Sequence, residues 1–174
     1  MSENTLLELF HGKGAHADPV ACIEDLPAEL AARKVQGYPH SIWQIVLHMN
    51  YWMDYELRKI AGENPRNPDH AIESWPEHPN PANAAEAVAA NSLWQRARQH
   101  FIDDLARLAA LAESDASTLD RLVHDVSPQK TARQSTARAT LWQIMAHNSY
   151  HAGQIALLRR QAGAWPPQRG GDTW

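Results

Sequence analysis

The sequence predicts an all-α fold, a four-helix bundle in a single domain that spans residues 1–174. Apolar residues recur at spacings of three and four, and breaks rich in Pro and Gly separate four such segments. No segment shows a convincing alternation with a period of two, which argues against strands. Four helices joined by loops of mixed length are typical of a bundle.

Local signals delimit the predicted helices. Residues 18–35 form a shorter first helix, in which Pro27 predicts a kink or a late start. Residues 83–113 form a long amphipathic helix that begins at Asn83, with Glu86 three residues later. Residues 63–82 are rich in proline and are expected to be an irregular connection. The remaining breaks are Gly37-Tyr38-Pro39, Ser127-Pro128 and Gly163 with Pro166-Pro167.

The two remaining helices repeat each other. Residues 41–52 and residues 140–151 match at a constant offset of 99 positions. The identical pairs are Trp43/Trp142, Gln44/Gln143, Ile45/Ile144, His48/His147 and Tyr51/Tyr150. We expect two equivalent helices to face each other and to bring a histidine to the same level.

Three histidines of these helices form a predicted metal site. His147 and His151 are four residues apart, so their rings lie on one helical face and suit a single ion. The His-x-x-x-His spacing alone is weak evidence for a metal site, because 10 histidines in 174 residues supply about 0.6 such pairs by chance. Their position is stronger evidence, because His48, His147 and His151 all lie on the faces of the two helices that otherwise carry apolar residues. A buried imidazole without a partner costs about 1–3 kcal/mol, and a shared divalent metal explains all three.

The ligand set indicates an open metal site. Three neutral imidazoles leave one coordination position for an exogenous ligand, as in catalytic zinc centres. Zinc is the expected metal, while ligand type leaves nickel, iron and manganese open. Such a metal lowers the pKa of water or binds a thiol as thiolate. The alternative is a shared packing pattern without an ion, in which each histidine bonds to a carbonyl. The sequence assigns no catalytic residue beyond the ligands.

Six further residues are candidates for the pocket around the metal: Gln44, Tyr51, Trp52, Gln143, Tyr150 and Gln154. The capping boxes Ser41-x-x-Gln44 and Thr140-x-x-Gln143 are the favoured explanation of the two repeated glutamines. The two tyrosines are interpreted as core residues. Trp52 stands where His151 stands in the other copy. Gln154 lies on the ligand face, and Gly153 beside it permits close approach of a helix.

The other polar candidates are interpreted as surface. Asp54 and Glu56 are possible proton acceptors, but a solvated position is favoured for each. The same holds for the remaining histidines, which are His11, His16, His40, His70, His78, His100 and His124. Cys22 has no partner for an intrachain disulfide and is interpreted as a small buried residue.

Composition and missing motifs exclude several function classes. The sequence lacks His-Glu-x-x-His, Gly-x-Ser-x-Gly, a phosphate loop and a dinucleotide fingerprint. It has Glu-x-x-His only at Glu8–His11, whereas a di-iron bundle needs this motif on two helices. A net charge of -4 with mixed signs gives no reason to expect nucleic acid. No run approaches about 20 apolar residues, so no membrane span is expected. The start of the chain does not resemble a signal peptide, and a cytoplasmic location is the default expectation.

The two histidine segments resemble the DinB/YfiT-like superfamily. Residues 41–48 read Ser-Ile-Trp-Gln-Ile-Val-Leu-His, and residues 147–155 read His-Asn-Ser-Tyr-His-Ala-Gly-Gln-Ile. The similarity extends from about residue 14 to the end and includes Leu157-Leu158-Arg159-Arg160 and Trp165-Pro166-Pro167. It implies a four-helix bundle, often dimeric, with a divalent metal on three histidines that match His48, His147 and His151.

The same resemblance implies a class of reactions. Relatives include S-transferases and isomerases that use mycothiol or bacillithiol, and others are described as metal-dependent hydrolases. The leading hypothesis is transfer of a low-molecular-weight thiol to a small electrophilic molecule. A metal-dependent hydrolase and a non-catalytic metal-binding stress protein are the alternatives. The expected partners are a small-molecule substrate and a second copy of the chain, in a homodimer, without nucleic acid or membrane.

Overall fold

The computed structural model describes residues 5–12, 15–81, 83–124 and 134–170, and most of these residues are helical. The short helices are α1 (Thr5–Phe10), α2 (Ala21–Glu24), α3 (Ala28–Ala32) and α6 (Ala116–Leu119). The long helices are α4 (Ile42–Ile60), α5 (Ala84–Ala112) and α7 (Ala137–Gln161). A 3-10 helix (Ala71–Ser74) and the strands β1 (Leu122–His124) and β2 (Gln134–Thr136) are also present. The helical content agrees with the predicted all-α class. No described helix has the length and apolar character needed to span a bilayer.

Helices α4 and α7 run antiparallel, as the hydrogen bonds at their ends show. The carbonyl of Arg121 accepts from the backbone N–H of Ala137 at 2.9 Å. The guanidinium of Arg121 donates to the carbonyl of Ile60. The end of α4 therefore meets the start of α7, and the midpoints of the two helices lie side by side. This arrangement brings the two copies of the sequence repeat against each other.

The three long helices share one apolar core. Trp43 of α4 and Trp94 of α5 are almost fully buried, and their ring centroids lie 5.4 Å apart. The indole N–H of Trp94 donates to the carbonyl of Leu26 at 2.7 Å, which satisfies a buried polar atom. Phe101 and Leu105 extend the core along α5. Each such apolar side chain contributes about 1.5–3 kcal/mol when it is buried.

The expected helix over residues 18–35 is present as the two short helices α2 and α3. Pro27 has extended backbone angles (φ -69°, ψ 152°) at the N-cap of α3. Because proline lacks the N–H that would continue α2, the predicted kink occurs here. The guanidinium of Arg159 in α7 donates to Asp25 Oδ1 at 2.6 Å and to the carbonyl of Cys22 at 2.8 Å. This ion pair, in which the side chains of Arg159 and Asp25 are 3% and 13% exposed, links the bend between α2 and α3 to α7.

Of the two predicted capping boxes, the one at Ser41 is correct and the one at Thr140 is wrong. Ser41 caps α4 with a full capping box, in which its Oγ accepts from Gln44 N at 3.2 Å and Gln44 Oε1 accepts from Ser41 N at 3.3 Å. The predicted cap at Thr140 is wrong, because α7 begins one turn earlier with Thr136 as N-cap. Thr140 Oγ1 instead donates to the carbonyl of Thr136 at 3.1 Å. Helix α5 begins after Asn83, as predicted.

The strands are an element that the sequence pattern did not predict. Residues 122–124 pair antiparallel with residues 134–136. Strands of three residues are too short for a period of two to be recognised. The predicted break at Ser127-Pro128 lies outside the described residues.

The described part of the connection, residues 63–81, packs along α4 and covers its first half. The Trp75 ring stacks on the His48 ring at a centroid distance of 3.8 Å. Further along, His78 Nε2 is hydrogen-bonded to Ser41 Oγ at 2.9 Å. The segment was expected to be irregular, and its described residues are so apart from one turn of 3-10 helix at Ala71–Ser74. Its packing places aromatic and carbonyl groups beside His48.

Candidate metal centre

The structure brings His48, His147 and His151 together between α4 and α7. One ring nitrogen from each histidine lies within 4.8 Å of the others. His48 Nε2 and His147 Nε2 are 3.1 Å apart. His48 and His151 are buried, and His147 is half-buried. Helix α4 supplies one ring and α7 supplies two, because Trp52 of α4 stands where His151 stands in the other copy of the repeat.

Each ring is oriented by an oxygen at its Nδ1. His48 Nδ1 donates to the carbonyl of Ser74 at 2.7 Å, and His151 Nδ1 donates to Gln154 Oε1 at 2.7 Å. His147 Nδ1 faces Asn148 Oδ1 at the longer distance of 3.4 Å. A carbonyl oxygen can only accept, so the proton of a neutral imidazole lies on Nδ1 and the lone pair lies on Nε2. Oxygen partners of this kind orient histidine ligands in metal sites.

Burial keeps the three rings neutral. It lowers the pKa of His48 to about 4, an effect that the hydrogen bond to Ser74 opposes in part. It lowers the pKa of His147 to about 4 as well, with the neighbouring His151 acting in the same direction. The pKa of His151 is lowered mainly by burial. The rings therefore present lone pairs rather than charges at neutral pH.

A divalent cation fits this arrangement. His48 Nε2 and His147 Nε2, 3.1 Å apart, repel each other when neither carries a proton, and a positive centre between them removes that repulsion. Nitrogens bound at about 2.0–2.1 Å to one tetrahedral ion are about 3.3 Å apart, close to the observed separation. The group contains only imidazoles among the described residues, so no carboxylate or thiolate would compensate the charge of the ion. Imidazole ligands suit zinc, nickel and iron.

A cavity of about 440 Å³ opens beside the three histidines. Its volume lies within the usual range of small-molecule sites, about 300–1,000 Å³. Aromatic side chains form much of its wall. Trp75 is stacked between His48 at 3.8 Å and His40 at 3.7 Å. The other lining residues are Trp52, Glu56, Ala71, Ser74, Gln143, Ile144, His147, Tyr150 and His151.

Three of the six predicted pocket residues line this cavity, namely Trp52, Gln143 and Tyr150. Gln44 is not among the lining residues and serves the capping box of α4, with its Nε2 3.4 Å from Glu77 Oε2. Tyr51 does not line this cavity but lines a second one of about 680 Å³. Gln154 does not line the cavity but orients the ring of His151.

Several residues predicted to be surface are not. Glu56 is only 5% exposed and lines the cavity. The side chain of Asp54, by contrast, is 43% exposed as predicted and lies 3.8 Å from Arg58. His40 and His16 are half-buried, and His16 Nε2 is 2.8 Å from Ser149 Oγ. His78 is also half-buried. The histidines that are exposed as expected are His11, His70, His100 and His124.

Ser74 and Trp75 were not predicted as site residues. They lie in a proline-rich connection, where a helical pattern cannot indicate which side chains turn inward. A tryptophan within such a polar segment was the one available signal, since large aromatic residues are seldom left in solvent. By contrast, Cys22 is buried as predicted, and burial raises the pKa of its thiol to about 11. That thiol is therefore no nucleophile at neutral pH.

Comparison with known proteins supplies the family. No curated protein and no solved structure matches the chain significantly. A sequence model of the DinB family matches residues 1–171. The match covers nearly the whole chain, including both helices that carry the three histidines. The chain therefore belongs to the DinB family.

Proposed function

We propose that this chain is a four-helix-bundle enzyme that uses a divalent metal, zinc in the first place, to transfer a small thiol to an electrophilic molecule. The observation that carries the proposal is a cluster of three neutral imidazoles in the wall of a cavity of about 440 Å³. A metal held there supplies Lewis acidity, which favours the thiolate form of a bound thiol. Family membership and the sequence resemblance point the same way.

The residues of the chain have distinct roles in this proposal. His48, His147 and His151 present Nε2 lone pairs and carry no charge, so a bound thiolate would offset part of the charge of a divalent cation held there. Ser74 and Gln154 hold two of the rings in that tautomer. The aromatic wall excludes water from one side of the cavity, which favours reaction with the electrophile over hydrolysis.

A thiol panel tests the transferase proposal. Zinc-loaded protein is incubated with several cellular thiols and a chromogenic nitroaryl halide, and thioether formation is followed by absorbance. We expect a thiol-dependent rate that is lost in His147→Ala and kept in His124→Ala, because His124 is exposed and distant from the cluster. Equal rates for the wild type and His147→Ala would contradict the proposal.

Metal-dependent hydrolysis is the second candidate, and Glu56 favours it. Hydrolysis needs a proton acceptor for the activated water, and Glu56 is a carboxylate in the wall of the same cavity. Because Glu56 lies two turns of α4 from His48, the proton would have to reach it through bound water. Zinc-loaded protein is tested with nitrophenyl esters and anilides in the absence of thiol. A rate that His147→Ala and Glu56→Gln both abolish supports hydrolysis over thiol transfer.

The third alternative is metal binding without catalysis. A binding protein of that kind has no need for an accessible cavity beside its ion. The cavity of about 440 Å³ at the histidines therefore favours the two enzymatic candidates.

We also propose that two copies of the chain associate through α7. Trp142, Tyr150 and Leu157 are 46%, 64% and 49% exposed, and with Ala146 and Gly153 they lie within about 80° of one helical face. A Cβ added at Gly153 would meet no atom within 4 Å, so its small size serves no contact among the described residues. An antiparallel second copy would place Trp142 against Leu157 and Ala146 against Gly153. The small pair would let the two helix backbones approach closely, while the large pair packs on either side of it.

A further inference from the structure

Glu56 is a charged residue in the wall of the metal cavity. It follows His48 and Trp52 at intervals of four residues, so the three side chains share one face of α4. Glu56 lies two turns from His48, about 12 Å along the helix axis. Its side chain is only 7% exposed, although carboxylates are seldom buried without a partner.

An ion pair stabilises this buried carboxylate. Lys59 Nζ lies 3.0 Å from Glu56 Oε2, and the Lys59 side chain is 12% exposed. Lys59 is not among the residues that line the cavity, so only the acidic member of the pair belongs to the wall. Buried ion pairs add little stability compared with apolar residues of similar volume. The ion pair with Lys59 therefore does not explain why a carboxylate, rather than an apolar residue, occupies position 56 on this face of α4. Recognition of a ligand in the cavity does explain it.

The antiparallel packing of α4 and α7 puts a second polar group near the same end of the cavity. Gln143 lies one turn before His147 on α7, and Glu56 lies two turns after His48 on α4. Gln143 and Glu56 both line the cavity. Trp52 and Tyr150 also line it. The cavity thus has imidazole lone pairs at one end, hydrogen-bonding oxygens at the other, and aromatic faces that attract cations.

We propose that Glu56 determines specificity by binding an ammonium or similar N–H donor at the end of the ligand opposite its metal-binding atom. This inference rests on the proposed function and narrows its substrate class to amine-bearing small molecules. A carboxylate accepts about four hydrogen bonds, so contact with Lys59 and with a ligand donor are compatible. Because the metal repels a second positive charge, the ammonium must be held away from it, and the distance from His48 to Glu56 provides that separation.

The test uses cobalt(II)-loaded protein and two ligand series. The first is straight-chain thiols that end in an ammonium, a hydroxyl or a carboxylate, followed by the absorption band of cobalt–thiolate ligation. The second is alkyl hydroxamates with the same three end groups, followed by calorimetry, because hydroxamates bind metals without any thiol function. We expect the ammonium ligand of suitable length to bind about tenfold or more tightly than its hydroxyl counterpart.

Variants assign that preference to Glu56. Glu56→Gln should remove the ammonium preference while cobalt uptake is retained, and Asp54→Asn should keep it, because Asp54 does not line this cavity. Glu56→Gln combined with Lys59→Met removes the ion pair as a whole and serves if Glu56→Gln alone folds poorly. An ammonium preference that persists in either Glu56 variant overturns the inference.

The two series separate this inference from the proposed function. If no thiol gives a cobalt band but the amino hydroxamate keeps its Glu56-dependent preference, the thiol proposal fails and the role of Glu56 stands. If thiols bind but the end group has no effect in either series, the role of Glu56 fails and the thiol proposal stands. If no member of either series binds, both fail.

Discussion

The metal-free protein should lose stability on mild acidification because its clustered histidines are neutral when folded. The pKa values of His48 and His147 fall from 6.5 to about 4 on folding, mainly through burial. Between these values the unfolded chain binds more protons than the folded chain. The free energy of unfolding therefore decreases as the pH falls through this window.

The size of the effect follows from the two pKa values. Lowering the pH from about 7 to about 5 should cost about 2 kcal/mol for each of the two rings. Because this cost comes from protonation of both rings in the unfolded chain, the two contributions add to about 4 kcal/mol for the pair. This is a large fraction of the 5–15 kcal/mol typical of a domain. Most carboxyl groups remain ionised at pH 5 and contribute little.

Urea unfolding of chelator-treated protein at a series of pH values measures this profile. His48→Gln should reduce the slope in this window by about 1.4 kcal/mol per pH unit, and His124→Gln at the exposed end of β1 should not. Excess zinc should raise stability at pH 7, because the metal binds the folded state. A wild-type stability that stays constant from pH 7 to pH 5 would refute the neutral, desolvated cluster.

Three further outcomes are expected. Gln154→Leu removes the acceptor that orients His151 and should weaken cobalt binding about 10- to 100-fold in a competition titration; unchanged affinity would show that this contact is unimportant. Arg159→Met leaves Asp25 without its counter-charge and should lower the free energy of unfolding by about 3–5 kcal/mol, measured in urea, with metal affinity unchanged. Trp142→Glu should convert a dimer to a monomer in light scattering, and a wild type that is already monomeric would contradict the proposed interface.

The histidine cluster was predictable because two independent patterns agreed. Helical spacing placed His147 and His151 on one face, and the repeat at an offset of 99 related His48 to His147. The first signal depends only on helix geometry, and the second is a direct match between two segments of the sequence. The antiparallel contact of α4 and α7 then converts equivalent positions into neighbouring ones.

The environment of each repeat copy was not predictable in the same way. Trp43 is 2% exposed and Trp142 is 46% exposed, although they are identical positions of the repeat. Helix α4 packs between α5 and the connection at residues 63–82, whereas the Trp142 face of α7 is open. Such differences arise from tertiary packing, which the residues of the repeat do not encode.

The other errors have local physical causes. The cap of α7 moved from Thr140 to Thr136 because Ala137-Arg138-Ala139 are strong helix formers and Thr136 offers a capping hydroxyl. Glu56 was assigned to the surface because charged residues usually are, and the contact that permits its burial comes from Lys59 three residues later. A pattern of apolar spacing cannot distinguish a solvated carboxylate from one that lines a cavity.

Metal content tests the central claim most directly. The wild type, a triple variant with His48, His147 and His151 changed to alanine, and a control triple variant of the exposed His11, His100 and His124 are purified side by side. Circular dichroism verifies that each is folded, and elemental analysis gives the divalent metal per chain. A metal centre at the three clustered histidines predicts about one equivalent in the wild type and the control, and almost none in the site variant. Metal retained in the site variant would contradict the assignment.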